Sequence, residues 1–393
     1  MIRPSLPLEL VEMIFTWARL GPHKEIADFK TLAACSRVCK TWQAPAQGLL
    51  FRDIPISLCH RHLSLIIRTL SDRPDLGRHI RSFGMEITCP PAPWGYGPPP
   101  KASTKRYRRM VADFINILTY APNLTRLSID IDGEFDAADI SKLWSINLRH
   151  VQVLNWEGRP TSSALYLFLT LWPSIRYLRV DNLFLEPLPE DCRPLSLRSF
   201  SMRDELSEGF MTWLLPPPTD DGEPLRELHL ERGLPSYGTL KDLQTHAHNL
   251  HVLTVDKIPP QTFLDALTVL KEFTFCELPR APLQLPRSVQ QVRFHAKCEG
   301  QVYMNAGGHL IEIPVDHDES RITNESGYLI KALKELPNLV AVGATSQAPE
   351  KVLASLDKFC SETRVEFVVY NNSAIYSVSL WLRRLFVESN SLV

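Results

Sequence analysis

A chain of 393 residues is long enough for one large or two ordinary domains, and 44% hydrophobic with 22% charged residues is a globular composition. The 43 Lys and Arg stand against 44 Asp and Glu, a formal net charge of -1, so composition supplies no generic attraction to nucleic acid or to a membrane. The 31 prolines exceed the usual share of about 5% and imply many connections between short elements.

Glu9 and Glu12 interrupt the apolar stretch near the N-terminus, which argues against a signal peptide. No run approaches the roughly 18 apolar residues of a spanning helix. The eight cysteines (35, 39, 59, 89, 192, 276, 298, 360) are scattered and form no C-x-x-C pair. They read as reduced thiols, and the expected location is cytoplasmic or nuclear.

Pro7 suits the first turn of a helix. Leu10, Met13, Ile14 and Trp17 then follow at i, i+3, i+4 and i+7, an apolar face that Leu6 and Phe15 widen. Asp28 can cap a second helix carrying Phe29 and Leu32. A third runs through Val38, Trp42, Ala46 and Leu49, with Cys39 beside them, and ends where Phe51, Ile54 and Ile56 read as strand. Three short helices cannot bury so much apolar surface among themselves. Either they cap the rest of the chain or they cover another protein.

These residues resemble the F-box family. Its Leu-Pro, acidic, Leu, Ile-Phe pattern is met by Leu6, Pro7, Glu9, Leu10, Ile14 and Phe15, and its Val-Cys-basic-x-Trp element by Val38, Cys39, Lys40 and Trp42. Its close is met by Leu49, Leu50, Phe51 and Arg52. The link at 20–31 is longer and more polar than the family's usual one. The resemblance implies docking onto the Skp adaptor of a cullin–RING ubiquitin ligase, as apolar anchors in a groove. The implied adaptor-binding set is Leu6, Pro7, Leu10, Ile14, Phe15, Val38, Cys39 and Trp42.

Past residue 75 the phrase apolar-x-x-apolar-x-apolar recurs, beginning at 80, 124, 148, 175, 197, 225, 250, 270, 289, 310 and 339, with a degenerate copy at 365. In a chain this apolar the phrase alone decides little. Its steps decide more, because from Leu124 onward they average about 24 residues, within the leucine-rich-repeat range. Helical stretches and a Pro or Asn break ("YAPNL", "LWPSI", "HAHNL", "ELPNL") precede many copies. A helix followed by a short strand, repeated, is the unit of a solenoid whose strands line one face. The usual Asn or Cys after the third leucine is missing, so the repeats are irregular.

The Pro/Gly segment 89–100 reads as an exposed loop, followed by "KASTKRYRR", a basic first helical turn with a phosphopeptide or anion site as the alternative. The final stretch, 373–386, reads as a helix capping the open end. No nucleophile elbow, P-loop, dinucleotide fingerprint or zincin motif is present. His246, His248 and His251, with Asp242, are close in sequence but cross a helix end, so their rings should diverge. "CHRH" (59–62) and "DHDE" (316–319) carry no stronger metal signal. No metal, cofactor or catalytic residue is expected.

In each phrase the residue between the last two apolar positions should face away from the helices: Ser128, Gln152, Arg179, Ser201, His229, Thr254, Thr274, Arg293 and Glu312. Arg179, His229 and Arg293 are the candidate target-binding residues, and the two arginines suit a partner with some acidic character.

The expected fold is thus α/β: a three-helix F-box over 1–56, an irregular leucine-rich-repeat solenoid over 57–372, and a capping helix over 373–393. The function implied is a non-catalytic substrate-recognition subunit of an SCF-type ligase, binding the Skp adaptor and an unknown protein target. The alternatives are a repeat scaffold that the N-terminal helices merely cap, and an enzyme without a recognisable motif.

Overall fold

The computed structural model describes residues 7–19, 29–54, 60–87, 101–131, 135, 137–157, 162–181, 195–203, 213–215, 223–231, 237–295, 304–306, 309–311, 319–346 and 348–370. The chain forms two compact units, Met1–Leu195 and Ser196–Val393. The expected boundaries at 56/57 and 372/373, the Pro/Gly segment 89–100 and the helix at 373–386 lie outside the described residues.

The first unit opens with α1 (Leu8–Arg19), α2 (Phe29–Cys35) and α3 (Lys40–Arg52). Val11, Phe15, Leu32 and Ala46 form their shared core. Helix α3 runs straight into β1 (Asp53–Ile54), which pairs in parallel with β2 (Ser82–Ile87). Parallel partners β3 (Arg126–Ile131), β4 (Val153–Glu157) and β5 (Tyr177–Val180) follow in sequence order. The connections are helical: α4 (His60–Asp72) with a 3-10 turn at Pro74–His79, then α5 (Lys101–Tyr120), α6 (Ala137–Ser145) and α7 (Ser162–Leu171).

The alternation within a strand sets its faces. Leu127, Ile129 and Ile131 are fully buried, while Ser128 and Asp130 between them are not. On the buried face Phe83 stacks on Phe114 of α5 at 6.0 Å, Trp156 packs on Phe168 of α7 at 5.5 Å, and Phe168 stacks on Trp172 at 4.8 Å. The helices therefore cover one side of the strands.

The second unit repeats this plan with β6 (Ser199–Met202), β7 (Glu227–Leu230), β8 (Val252–Val255), β9 (Glu272–Phe275) and β10 (Gln291–Phe294), again parallel. Helices α8 (Tyr237–Gln244) and α9 (Gln261–Asp265) lie between β7 and β8 and between β8 and β9. A short antiparallel pair, β11 (Met304–Ala306) with β12 (His309–Ile311), stands apart from the parallel sheet. After α10 (Glu319–Lys334), β13 (Ala341–Thr345) pairs directly with β10. Helix α11 (Glu350–Thr363) leads through Arg364, in a left-handed turn at φ 60°, to β14 (Glu366–Tyr370).

One bonding pattern marks the start of eight of the described parallel strands. The Arg81 carbonyl accepts the N–H groups of Thr125 and Arg126, at 2.9 and 3.0 Å. The Thr125 carbonyl accepts those of Gln152 and Val153, and the Gln152 carbonyl those of Arg176 and Tyr177. In the second unit the carbonyls of Arg198, Arg226, His251, Lys271 and Gln290 do the same for the strands that follow them. The Pro breaks have a part in this. Asn123 Nδ2 donates to Arg78 O, Ser174 Oγ to Val151 O and Asn338 Nδ2 to Arg287 O, each tying a break to an earlier repeat.

The bonding corrects several expectations. The copy at 148 starts three residues later, because Leu154 and Trp156, not Val151 and Val153, align with Leu127 and Ile129. The copy at 310 is no repeat strand; it belongs to the antiparallel pair. At 365 the register is off by one, since Phe367 and Val369 align with Val342 and Ala344. Phe51 ends α3 instead of opening a strand, and Val38 precedes that helix. Helix α11, buried through Val352, Leu356, Phe359 and Cys360, was legible at i, i+4, i+7 and i+8 but is absent from the sequence reading.

Two glycines should respond oppositely to alanine. Gly77 lies in the 3-10 turn, where a Cβ would overlap the Tyr120 carbonyl oxygen at the end of α5. Gly77→Ala should lower stability by about 2 kcal/mol in urea unfolding, because backbone must move. Gly327, inside α10 with open space around it, should be neutral or gain up to about 1 kcal/mol as alanine.

Candidate functional site

Helix α1 carries two apolar faces. Val11 and Phe15, one turn apart, point into the three-helix core. Leu10, Met13, Ile14 and Trp17 are 43, 55, 49 and 69% exposed. Of the ten large apolar side chains exposed among the described residues, these four share α1, and Val38, 61% exposed, precedes α3 in the same small unit. Clustering on one helix separates them from the scattered exposed apolars any surface carries.

The expected adaptor residues divide accordingly. Leu10, Ile14 and Val38 are exposed. Pro7 is exposed and its carbonyl accepts the N–H groups of Leu10 and Val11, at 3.1 and 3.2 Å. Cys39 is exposed, and its carbonyl accepts those of Trp42 and Gln43. Leu6 lies outside the described residues. Phe15 is 1% exposed and belongs to the core, and Trp42, half-buried, meets its ring edge-on at 5.3 Å. Both therefore hold the helices together. Met13 and Trp17, on the same i, i+3, i+4, i+7 series, complete the exposed face.

The second surface is the strand face turned away from the helices. In the first unit its middle row is Gly84, Ser128, Asn155 and Arg179, in register. Asn155 replaces the expected Gln152. In the second unit the row is Ser201, His229, Thr254, Thr274, Arg293 and Gly343. Glu312 lies outside the described residues.

The two arginines are not the open handles the sequence suggests. Arg179 is 6% exposed and its Nε and Nη2 reach the two carboxylate oxygens of Asp181 at 3.3 and 3.4 Å. Arg293 lies 3.7 Å from Glu272, donates to Gln291 Oε1 at 3.1 Å, and stands 6.0 Å from the Tyr370 ring centre. That ring covers Gly343, where a Cβ would overlap it. His229 shares Nδ1 with Thr254 Oγ1 at 2.9 Å, with Glu227 3.9 Å from its other nitrogen. Each arginine of the row thus lies beside an acidic neighbour.

The three nearby histidines have separate hydrogen-bond contacts. His246, buried, donates from Nε2 to Leu215 O at 3.1 Å, while His248 meets Asn249 Nδ2 and His251 the Asn249 carbonyl. Burial pushes the His246 pKa down. Among the described residues no three His, Cys, Asp or Glu side chains come together to hold a metal. Asp316, His317 and Asp318 of "DHDE" lie outside the described residues, as does Cys59 of "CHRH"; Glu319 begins α10 and His60–His62 begin α4. The basic run 101–109 forms the first half of α5, where Lys105, Arg106, Arg108 and Arg109 are exposed. Burial, with Asp357 adding to it, pushes the Cys360 thiol up to about 11, which makes it a poor nucleophile. No helix among the described residues is long and apolar enough to cross a membrane.

Comparison with protein-family models and with curated proteins finds no match for this chain.

Two expected outcomes follow from the strand face. Asp181→Ala leaves the buried Arg179 without its carboxylate and should cost about 3 kcal/mol, whereas replacing the pair together by Met and Leu should recover most of that loss in urea unfolding. His295, one residue past β10, is 8% exposed, and burial, aided by Arg293, lowers its pKa to about 4. The unfolded chain, with an ordinary histidine pKa of 6.5, takes up this proton first as pH falls. Stability should therefore drop by about 3 kcal/mol between pH 6.5 and 4 on this account, and His295→Gln should flatten that slope.

Proposed function

We propose that this chain is a substrate-recognition subunit of an SCF-type ubiquitin ligase, with α1 to α3 as an F-box that docks on the Skp adaptor and irregular leucine-rich repeats that hold a protein target. The observation that carries the reading is the division of α1 between a core face and an exposed apolar face. A helix that only caps a domain turns its outer face to water and has no use for Met13, Ile14 and Trp17 there. Seating those side chains in a groove of another protein is the helix-in-groove mode of recognition, and it agrees with the F-box pattern of Leu-Pro, Ile-Phe and Val-Cys-basic-x-Trp. In such a complex ubiquitin transfer belongs to partner subunits. This chain contributes proximity, raising the effective concentration of the target.

The capped-scaffold reading has its own support, since a Cβ added at Gly48 of α3 would come within 3.2 Å of the His79 ring and β1 joins β2. A cap and a dock use different faces, so these contacts do not compete with adaptor binding. Two substitutions separate the readings. Ile14→Asp and Trp17→Ala remove exposed anchors and should each weaken adaptor binding by about 30-fold, equivalent to ~2 kcal/mol, with an unchanged melting temperature. Co-purification and titration with the Skp adaptor measure it. A folded full-length chain that does not bind the adaptor would leave the capped scaffold as the function.

A further inference from the structure

Helix α5 concentrates its charge in its first half. Lys105, Arg106, Arg108 and Arg109 are exposed, and among the described residues none of the four has an ion-pair or hydrogen-bond partner. Each residue turns about 100° round a helix, so 108, 105, 109 and 106 follow one another over an arc of roughly 160° and within about 6 Å of its length. The opposite side is the packed one, where Met110, Val111, Phe114 and Leu118 are buried.

This layout works against the helix itself. Lys105 stands three residues from Arg108 and four from Arg109, and Arg106 three from Arg109, so like charges face one another at the spacings where helix side chains meet. The first turn of α5 holds no acidic residue to offset them. Unbalanced positive charge turned to solvent favours an anionic partner, and its arrangement says which kind. The four cations fan over a wide arc and do not converge on one point, so they suit negative charges spread along a chain. Among the described residues α5 exposes no large apolar side chain, and thus has no anchor to seat beneath lipid headgroups. Tyr107, the aromatic residue between the cations, is half-buried and offers no open platform for stacked bases.

We propose that the basic face of α5 receives a glutamate- or aspartate-rich segment of a protein partner. Three of its four cations are arginines, whose planar guanidinium meets a carboxylate through two parallel N–H groups. The sequence pointed to an acidic partner through Arg179 and Arg293, yet both lie beside carboxylates of their own. The cations of α5 do not, so the acidic partner belongs on this helix and not on the strand face. The inference rests on the target-receptor half of the function proposed above, for which it names the kind of target. Its test leaves the adaptor out, so failed docking of α1 and failure of this surface appear in different experiments.

The test titrates fluorescent decaglutamate with the full-length chain in about 50 mM salt, where exposed charges are only partly screened. Decaglutamate should bind, and its affinity should fall steeply as salt is raised. Lys105→Gln with Arg109→Gln should weaken it about tenfold, and so should Arg106→Gln with Arg108→Gln. Neither pair should lower the melting temperature, since glutamine is as good a helix former and like-charge repulsion is removed. Lys331→Gln with Lys334→Gln, exposed on α10, takes the same charge from the second unit and should leave binding unchanged. Absence of decaglutamate binding by the folded parent would overturn the proposal. So would parent-like binding by both α5 variants, or an equal loss in the α10 variant. A peptide with a single phosphoserine, single-stranded oligothymidylate and phosphatidylserine vesicles serve as rival probes. Tighter binding of any one of them than of decaglutamate, lost in the α5 variants, would overturn it in favour of a phosphate, nucleic-acid or lipid site.

Discussion

Eight of the described parallel strands begin where one carbonyl of the preceding repeat accepts two successive N–H groups, as Arg81 does from Thr125 and Arg126. Parallel strands have no tight turn to set their register, and a slip of one residue exchanges the two faces of a strand. The shared carbonyl removes that freedom. It places Leu127 opposite Leu154 and Leu154 opposite Leu178, so the aromatic and aliphatic side chains meet the helices on one side. Whatever lies between them, from Ser128 to Asn155 to Arg179, is forced into a row on the other. The polar face inherits its order from the apolar one.

This explains where the sequence could be read and where it could not. Phrases at 124, 175, 197, 225, 250, 270 and 289 fell on strands because their alternation admits one reading. At 148 two overlapping readings satisfy the same phrase, since Val151 and Val153 are as apolar as Leu154 and Trp156. Only the bonds from Gln152 and Val153 to the Thr125 carbonyl choose between them. At 365 the run Phe367, Val368, Val369 has no polar residue to mark a face, and β14 is partly exposed throughout. The pattern at 310 is equally apolar but pairs antiparallel with its own neighbour. Periodicity carries the plan of the repeats, whereas register lies in backbone bonds that no side-chain pattern encodes.

The three N-terminal helices show a related ambiguity. A stripe built from Leu10, Met13, Ile14, Phe15 and Trp17 is wider than one interface. Spacing alone does not say that Phe15 pairs with Val11 inward while its neighbour Ile14 points out. Successive helical residues are about 100° apart, so neighbours in sequence can serve different surfaces. Phe15 and Trp42 belong to the family-like pattern yet stabilise the small core, whereas Met13 and Trp17, outside that pattern, stand exposed. The N-terminal pattern thus mixes residues that build the small core with residues left on its surface.

The same distinction bears on charge. Arg179 and Arg293 stand out in a row of small polar residues, but in the fold each lies beside a carboxylate two positions along the strand or one strand away. Glu86, Asp130, Glu157 and Asp181 are unremarkable singly, spread over about a hundred residues of sequence, and become a row only when the strands are in register. The lock that aligns the apolar core also fixes the positions of these acidic residues. Register is therefore the link between the hydrophobic pattern of the repeats and the order of charged positions on their opposite face.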